Sequence, residues 1–187
     1  MDERIGDYPD LDQLGAEVSV ELFPESFTVR WDLCGATADF FASYFSQMPS
    51  CGADDDATQA EVENAISYVL NEAVENAVKF QAGGTITVKV GMYEDSLVFV
   101  VSNWIMGSAA DVLRPRLHEL IEGDAHELLL ARVEANAANP EAGVSGLGFL
   151  TMITDYDARL GWRILAPDGA GDRVHFHTMA RLPIFRT

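Results

Sequence analysis

A chain of 187 residues with 48% hydrophobic content is long enough to bury a sizeable core, and neither a linker nor an internal repeat divides it, so one domain is expected. With 30 acidic and 12 basic residues the formal charge is −18, which argues against a large nucleic-acid interface and leaves room for a partner with a basic docking face. No apolar run approaches membrane-spanning length, and the start MDERIGDYPDLDQ is acidic where a secretory signal would be basic and then apolar; a soluble, cytoplasmic protein is expected, off the membrane.

Residues 1–14 read as a flexible acidic tail and 15–187 as the single domain. Glu17–Leu22 and Ser26–Trp31 alternate apolar and polar residues on either side of Pro24, the pattern of a β-hairpin. Ala36–Met48 carries Phe40, Phe41, Tyr44 and Phe45 at helical spacing, aromatics that read as core, and the loop Pro49–Ala57 closes that helix. The long helical stretch Glu61–Gly84 follows, with Asp56 or Thr58 as its cap and Gly83 and Gly84 at its end. Thr85–Met92 and Ser96–Ser102 make a second hairpin around Glu94 and Asp95, and the nearly all-apolar Leu97–Val101 reads as a central strand. From Asn103 to Ser145 the pattern turns helical, with a loop at Asn136–Gly143. Leu147–Tyr156 is a short apolar helix, and strands near Ala158–Leu165 and Arg173–Leu182 are joined at Pro167, Asp168 and Gly169. The expected fold class is therefore α+β, a two-layer sandwich with helices on one face of a mostly antiparallel sheet. Cys34 and Cys51 lack metal-ligand spacing and read as ordinary thiols, and the four histidines suggest no cluster.

The long helix carries the chemistry. Val62, Ile66, Val69, Leu70, Ala73, Val74 and Ala77 form its apolar stripe, while Glu72, Asn76 and Lys79 fall on a narrow line beside it. Residues four and seven apart lie within about 40° of one another around a helix, so a carboxylate, an amide and an ammonium can converge on one ligand. Taken alone, such residues are usually a solvated helix face. What adds weight is their order in the chain: two strand-like runs follow, then a helical insertion, then a glycine-rich entry to another helix.

That order, with three segments, resembles the GHKL superfamily of ATP-binding domains, the Bergerat fold of histidine kinase-like ATPases. Glu72-Ala-Val-Glu-Asn76-Ala-Val-Lys79-Phe80 is similar to the family's N box, in which a Glu and an Asn four apart precede a basic residue. Gly143-Val-Ser-Gly146-Leu147-Gly148 is similar to its second glycine box. The third segment departs from the pattern: where the family has D-x-G-x-G, this chain has Ser102-Asn103-Trp104-Ile105-Met106-Gly107, so that Asn103, or Ser102 with a one-residue slip, takes the Asp position and Gly107 matches the second glycine. The resemblance spans about Glu17–Leu182 and is nearest to anti-sigma-factor serine kinases and SiaB-like regulatory kinases.

The resemblance implies an ATP-binding regulatory protein that uses Mg²⁺ and phosphorylates a serine of an anti-anti-sigma (STAS-type) partner; a homodimer is compatible with it. Glu72 would deprotonate the attacking hydroxyl, Asn76 would ligate Mg²⁺, and Lys79 would meet a phosphate. Gly146 and Gly148, flanking Leu147, would present backbone N–H groups to the phosphates at a helix start. Asn103 would accept from the adenine amino group, and Phe80 or Trp104 would either stack near the base or pack in the core. The stretch from Met106 to Ser145 takes the place of the ATP lid, with Arg114 or Arg116 as phosphate contacts or as solvated side chains. Two other readings stand beside the kinase: a catalytically inactive GHKL-fold module that regulates by binding its partner, and an unrelated small α+β domain.

Overall fold

The computed structural model describes residues 2–9, 15–23, 32–48, 56–138, 146–167, 169 and 171–183. Its frame is a six-stranded sheet in the order β1-β5-β6-β4-β3-β2, formed by β1 (Asp2–Gly6), β2 (Gly15–Leu22), β3 (Ile86–Tyr93), β4 (Ser96–Met106), β5 (Arg159–Leu165) and β6 (Arg173–Pro183). Every neighbouring pair is antiparallel. The helices are α1 (Asp32–Phe45), α2 (Asp56–Phe80), α3 (Gly107–Glu122), α4 (Ala125–Ala138) and α5 (Gly148–Tyr156). The α+β class with a mostly antiparallel sheet is thus as expected.

The two-residue alternation of a strand decides which face each side chain joins. Along β4, Leu97, Phe99, Val101 and Ile105 enter one core with Phe41 and Phe45 of α1 and Ile66, Val69, Leu70 and Val74 of α2. Val98 and Val100 point the other way and pack with Tyr8 and Met179 in a cluster that contains no helix residue. The helices therefore cover one face. With residues 97–103 all buried, β4 is the central strand that its apolar run implies.

One expectation needs correction. Asp2–Gly6 is not a flexible tail but an edge strand paired with β5. Ile5, 2% exposed, joins the core, and Arg163 grips the Asp2 carboxylate with two hydrogen bonds of 2.9 and 2.6 Å across the ladder; the charge of this segment conceals a single buried anchor. The strand expected at Glu17–Leu22 is present, and among the described residues it pairs with β3, with Val18 opposite Val90 and Val20 opposite Val88. Ser26–Trp31, the other half of the expected hairpin, lies outside the described residues. The β3–β4 hairpin turns at Glu94 and Asp95 as expected, with Glu94 at φ 53°.

Helix α1 splits its aromatics: Phe41 and Phe45 are fully buried, whereas Phe40 and Tyr44 are 54% and 46% exposed. Burial pushes the Cys34 thiol up to about 11, an inert core thiol; Cys51 lies outside the described residues. His175 and His177 lie with ring centroids 4.4 Å apart because both sit on the helix-free side of β6. Burial lowers the pKa of both, that of His177 to about 4, and Ser102 Oγ lies 2.9 Å from its Nδ1.

Candidate functional site

The site is assembled where α2 crosses the sheet and meets α5. The apolar stripe of α2 buries Ile66, Val69, Ala73, Val74 and Ala77 against the sheet, and this fixes the rotation of the helix. Glu72, Asn76 and Lys79 are thereby turned along its flank toward α3, α4 and α5, where they line one cavity of about 310 Å³. Tyr68 of α2 stacks on Tyr156 of α5 with centroids 5.0 Å apart, which ties the two helices together one turn before Glu72.

The start of α5 is built around this contact. A Cβ at Gly148 would overlap Oε2 of Glu72 and lie 2.7 Å from its Cδ, so the carboxylate packs directly on the first residue of the helix. Gly146, at φ +49°, makes the left-handed turn into α5 and opens on the guanidinium of Arg132, whose Nη1 would be 3.6 Å from a Cβ there. Gly146 and Gly148 both line the cavity; Leu147 is the residue that precedes α5 and does not. Gly143 lies outside the described residues.

Helices α3 and α4 form the opposite wall. Leu113, Leu117 and Leu120 supply its apolar part, with Leu128 from α4, and Arg116, Glu119 and Arg132 its charged part. Gly123 ends α3 by donating its N–H to Glu119 O, and Asp124 Oδ1 then accepts from the N–H groups of His126 and Glu127, capping α4. The lining thus presents three cations, Lys79, Arg116 and Arg132, against two carboxylates, Glu72 and Glu119. In a chain with 30 acidic and 12 basic residues that local excess is a reversal of the global charge. Among the described residues no salt bridge engages any of the three, whereas Lys89, Arg114, Arg163 and Arg181 are each paired with a carboxylate. Burial first, and then the charge of Glu75, raise the Glu72 carboxyl above the ordinary range.

A second void of about 30 Å³ continues inward, sharing Asn76, Phe80, Leu113, Leu117 and Phe149 with the cavity and ending on Asn103, Ile105 and Thr178. Asn103 is 2% exposed, and its Nδ2 donates to Ala77 O at 3.1 Å. That bond orients the amide and leaves its carbonyl oxygen as the acceptor for anything entering the void. Ser102, the slipped alternative, faces the other side of the sheet beside His177, so Asn103 is the one that reaches the cleft. Volume limits the inner end, which offers only about 30 Å³, a tenth of the outer cavity, between Leu113, Leu117 and Phe149.

Other expected residues lie elsewhere. Gly107 begins α3 with its N–H donated to Asp172 O at 2.6 Å and lines neither space. Trp104 is on the helix-free face, with Arg173 over its ring at 5.5 Å and His175 at 4.9 Å, so it cannot stack on a ligand in the cleft; Phe80 lines both spaces. Arg114 is turned to β1, where its Nε donates to both Glu3 carboxylate oxygens at 3.0 and 3.1 Å. Arg132 and Glu119 were not singled out in the sequence. Arg132 is the sole Lys or Arg of α4, a signal that only becomes meaningful once α4 is known to close the cavity.

No three His, Cys, Asp or Glu side chains gather to hold a metal among the described residues. Asn76 offers one amide oxygen, a donor suited to a hard cation that takes its other ligands from phosphate and water. Among the described residues no helix is long and apolar enough to cross a membrane.

No family model matches the chain, and no curated protein does. Among solved structures, one chain of the crystal structure of the SiaB–SiaC complex from Pseudomonas aeruginosa is similar over 88% of this chain and 89% of that chain, with a TM-score of 0.60 and 16% identity. The α+β sheet with helices on one face is therefore a fold shared with that chain.

Proposed function

We propose that the protein is an ATP-binding regulatory protein, a serine kinase that uses ATP and Mg²⁺ to phosphorylate a separate partner of the anti-anti-sigma (STAS) type. The observation that carries this reading is the convergence of Glu72, Asn76 and Lys79 of α2 with Gly146 and Gly148 of a distant segment on one cation-rich cavity, in a chain whose net charge is −18. Its volume falls at the low end of the ~300–1,000 Å³ typical of ligand sites. The likeness to a chain crystallised in a SiaB–SiaC complex supports a role exercised through a protein partner.

In this reading Glu72 takes the proton of the attacking serine hydroxyl as its oxygen bonds the terminal phosphorus, and the bridging oxygen leaves with the diphosphate. The raised carboxyl of Glu72 suits it to that task, since a stronger base than an ordinary carboxylate accepts the proton. Asn76 offers its oxygen to Mg²⁺, which supplies charge neutralisation at the phosphates when bound. Lys79 adds a cation one turn on, and the N–H groups at the start of α5 add a positive dipole end. Asn103 accepts from the base amino group.

One observation favours a second reading, that of an inactive module which regulates by binding its partner: the inner void is only about 30 Å³, so a base reaching Asn103 must displace Leu113, Leu117 or Phe149. Calorimetric titration with Mg-ATP separates the two. Saturable heat at or below millimolar nucleotide, with transfer of labelled phosphate to a STAS-type protein, is the kinase result; no heat at that concentration removes the kinase and leaves the binding module.

A further inference from the structure

The inner end of the cleft is closed by α3, and the N-terminal strand holds α3 in place. Leu113 and Leu117, one turn apart, line the inner void. Arg114, the next residue around the helix, turns to β1 instead, where its Nε donates to both carboxylate oxygens of Glu3 at 3.0 and 3.1 Å and its Nη1 donates to Asp111 at 2.8 Å. Two turns further along, Ile121 packs on Gly6, where a Cβ would lie 2.9 Å from its Cδ1. The Arg114 and Glu3 side chains are only 28% and 26% exposed, so solvent screens this pair less than a surface ion pair, whose contribution is small. Strand β1 gives these contacts a fixed base, since Ile5 is in the core and Asp2 is bound by Arg163. The start of α3 is pinned separately, by the Gly107 N–H on Asp172 O. A base that approaches Asn103 must push Leu113 and Leu117 outward, and that motion pulls Arg114 away from Glu3.

We propose that Arg114 is a positioning residue: its ion pair with Glu3 latches α3 against the sheet, keeps Leu113 and Leu117 in the base end, and so lets the N-terminal strand set nucleotide affinity without touching the ligand. The apparent affinity of a site is reduced in proportion to the fraction of molecules in the open, binding-competent form, so releasing the latch raises affinity for a ligand that carries a base. A ligand without a base gains nothing from room beside Asn103. The assignment rests on the nucleotide reading for the identity of the ligand, whereas the latch itself is a contact within the chain.

The experiment compares the full wild-type chain with Glu3→Gln, Arg114→Ala, the double variant, and Glu94→Gln, which removes the same carboxylate charge from the pair with Arg181 at the β3–β4 turn. Each protein is titrated with Mg-ATP and with inorganic tripolyphosphate, and amide exchange along α3 is followed without ligand. Glu3→Gln and Arg114→Ala should each tighten Mg-ATP about threefold or more, although they shift the net charge in opposite directions. The double variant should tighten it no more than either alone, because both substitutions break the same contact. Exchange in α3 should rise several-fold in all the latch variants. Tripolyphosphate binding should hold within about twofold, since a single charge outside the cavity is largely screened, and Glu94→Gln should match wild type throughout. Unchanged or weaker Mg-ATP binding in both single variants, or equal tightening of tripolyphosphate, overturns the proposal and leaves nucleotide binding standing. Unchanged α3 exchange overturns the latch whatever the nucleotide result; faster exchange with no protein binding Mg-ATP sustains the tether on α3 and sinks the nucleotide reading.

Discussion

The two ends of the cleft differ in kind. The outer cavity, about 310 Å³, keeps its charged groups apart around open space, while the inner void, about 30 Å³, is filled by leucines and a phenylalanine around one oriented amide. Charges cannot collapse on one another without giving up solvation, so a wall of cations and carboxylates holds itself open; apolar side chains gain by closing any gap. The outer end therefore keeps open space beside an excess of cations, and the inner end is closed by Leu113, Leu117 and Phe149.

The largest effect belongs to the outer end. Glu72→Gln should keep Mg-ATP binding and lower phosphate transfer by about 10²-fold or more, measured as labelled phosphate on the partner protein. A Glu72→Gln protein with wild-type turnover would remove the general base from the scheme and with it the functional meaning of the outer wall.

At the inner end, Leu117 is 4% exposed, so Leu117→Ala should cost about 2–4 kcal/mol of stability by denaturant unfolding. It should also tighten Mg-ATP several-fold, because the space it vacates adjoins Asn103. Lower stability with unchanged or weaker affinity would mean that the inner void is core and not a base subsite.

Asn103→Asp tests the amide. Its Nδ2 bond to Ala77 O would be replaced by a carboxylate facing that carbonyl, at a cost of about 1–3 kcal/mol. If Asn103 receives a base amino group, Mg-ATP affinity should nonetheless rise, since a charged acceptor binds a donor more strongly than a neutral one. Loss of stability without any gain in affinity would assign the amide to structure alone.

The smallest effect is the pH dependence of Glu72. Its carboxyl is raised in the folded state, so the native protein holds this proton more tightly than the unfolded chain. The resulting stabilisation is present at low pH and is lost as pH rises through the folded-state value, above the ordinary carboxylate range. Glu72→Gln should then melt about 1–3 °C higher than wild type at neutral pH, and the gap should close near pH 4. A constant gap across that range would place Glu72 in water.

Much of this was legible in advance because it is periodic. The stripe on α2, the β3–β4 hairpin and the apolar run of β4 are local patterns, and a helix that must bury Ile66, Val69 and Val74 has little choice about where Glu72 and Asn76 point. Strand β1 was not legible, since one buried isoleucine in a charged pentapeptide gives no period, and its ladder partner lies at the far end of the chain. Arg132 and the leucines of α3 were visible as residues but not as a wall.

The sequence by itself determined most of the elements, the face that α2 and β4 bury and the line of acid, amide and amine along α2, because 3.6- and two-residue repeats convert composition into direction. Only the tertiary structure decided that Arg132 and not Arg114 faces the cleft, that Trp104 lies behind the sheet, and that the inner end is closed. Those are outcomes of contacts between segments distant in the chain, where packing and desolvation choose among side chains that local pattern leaves equivalent.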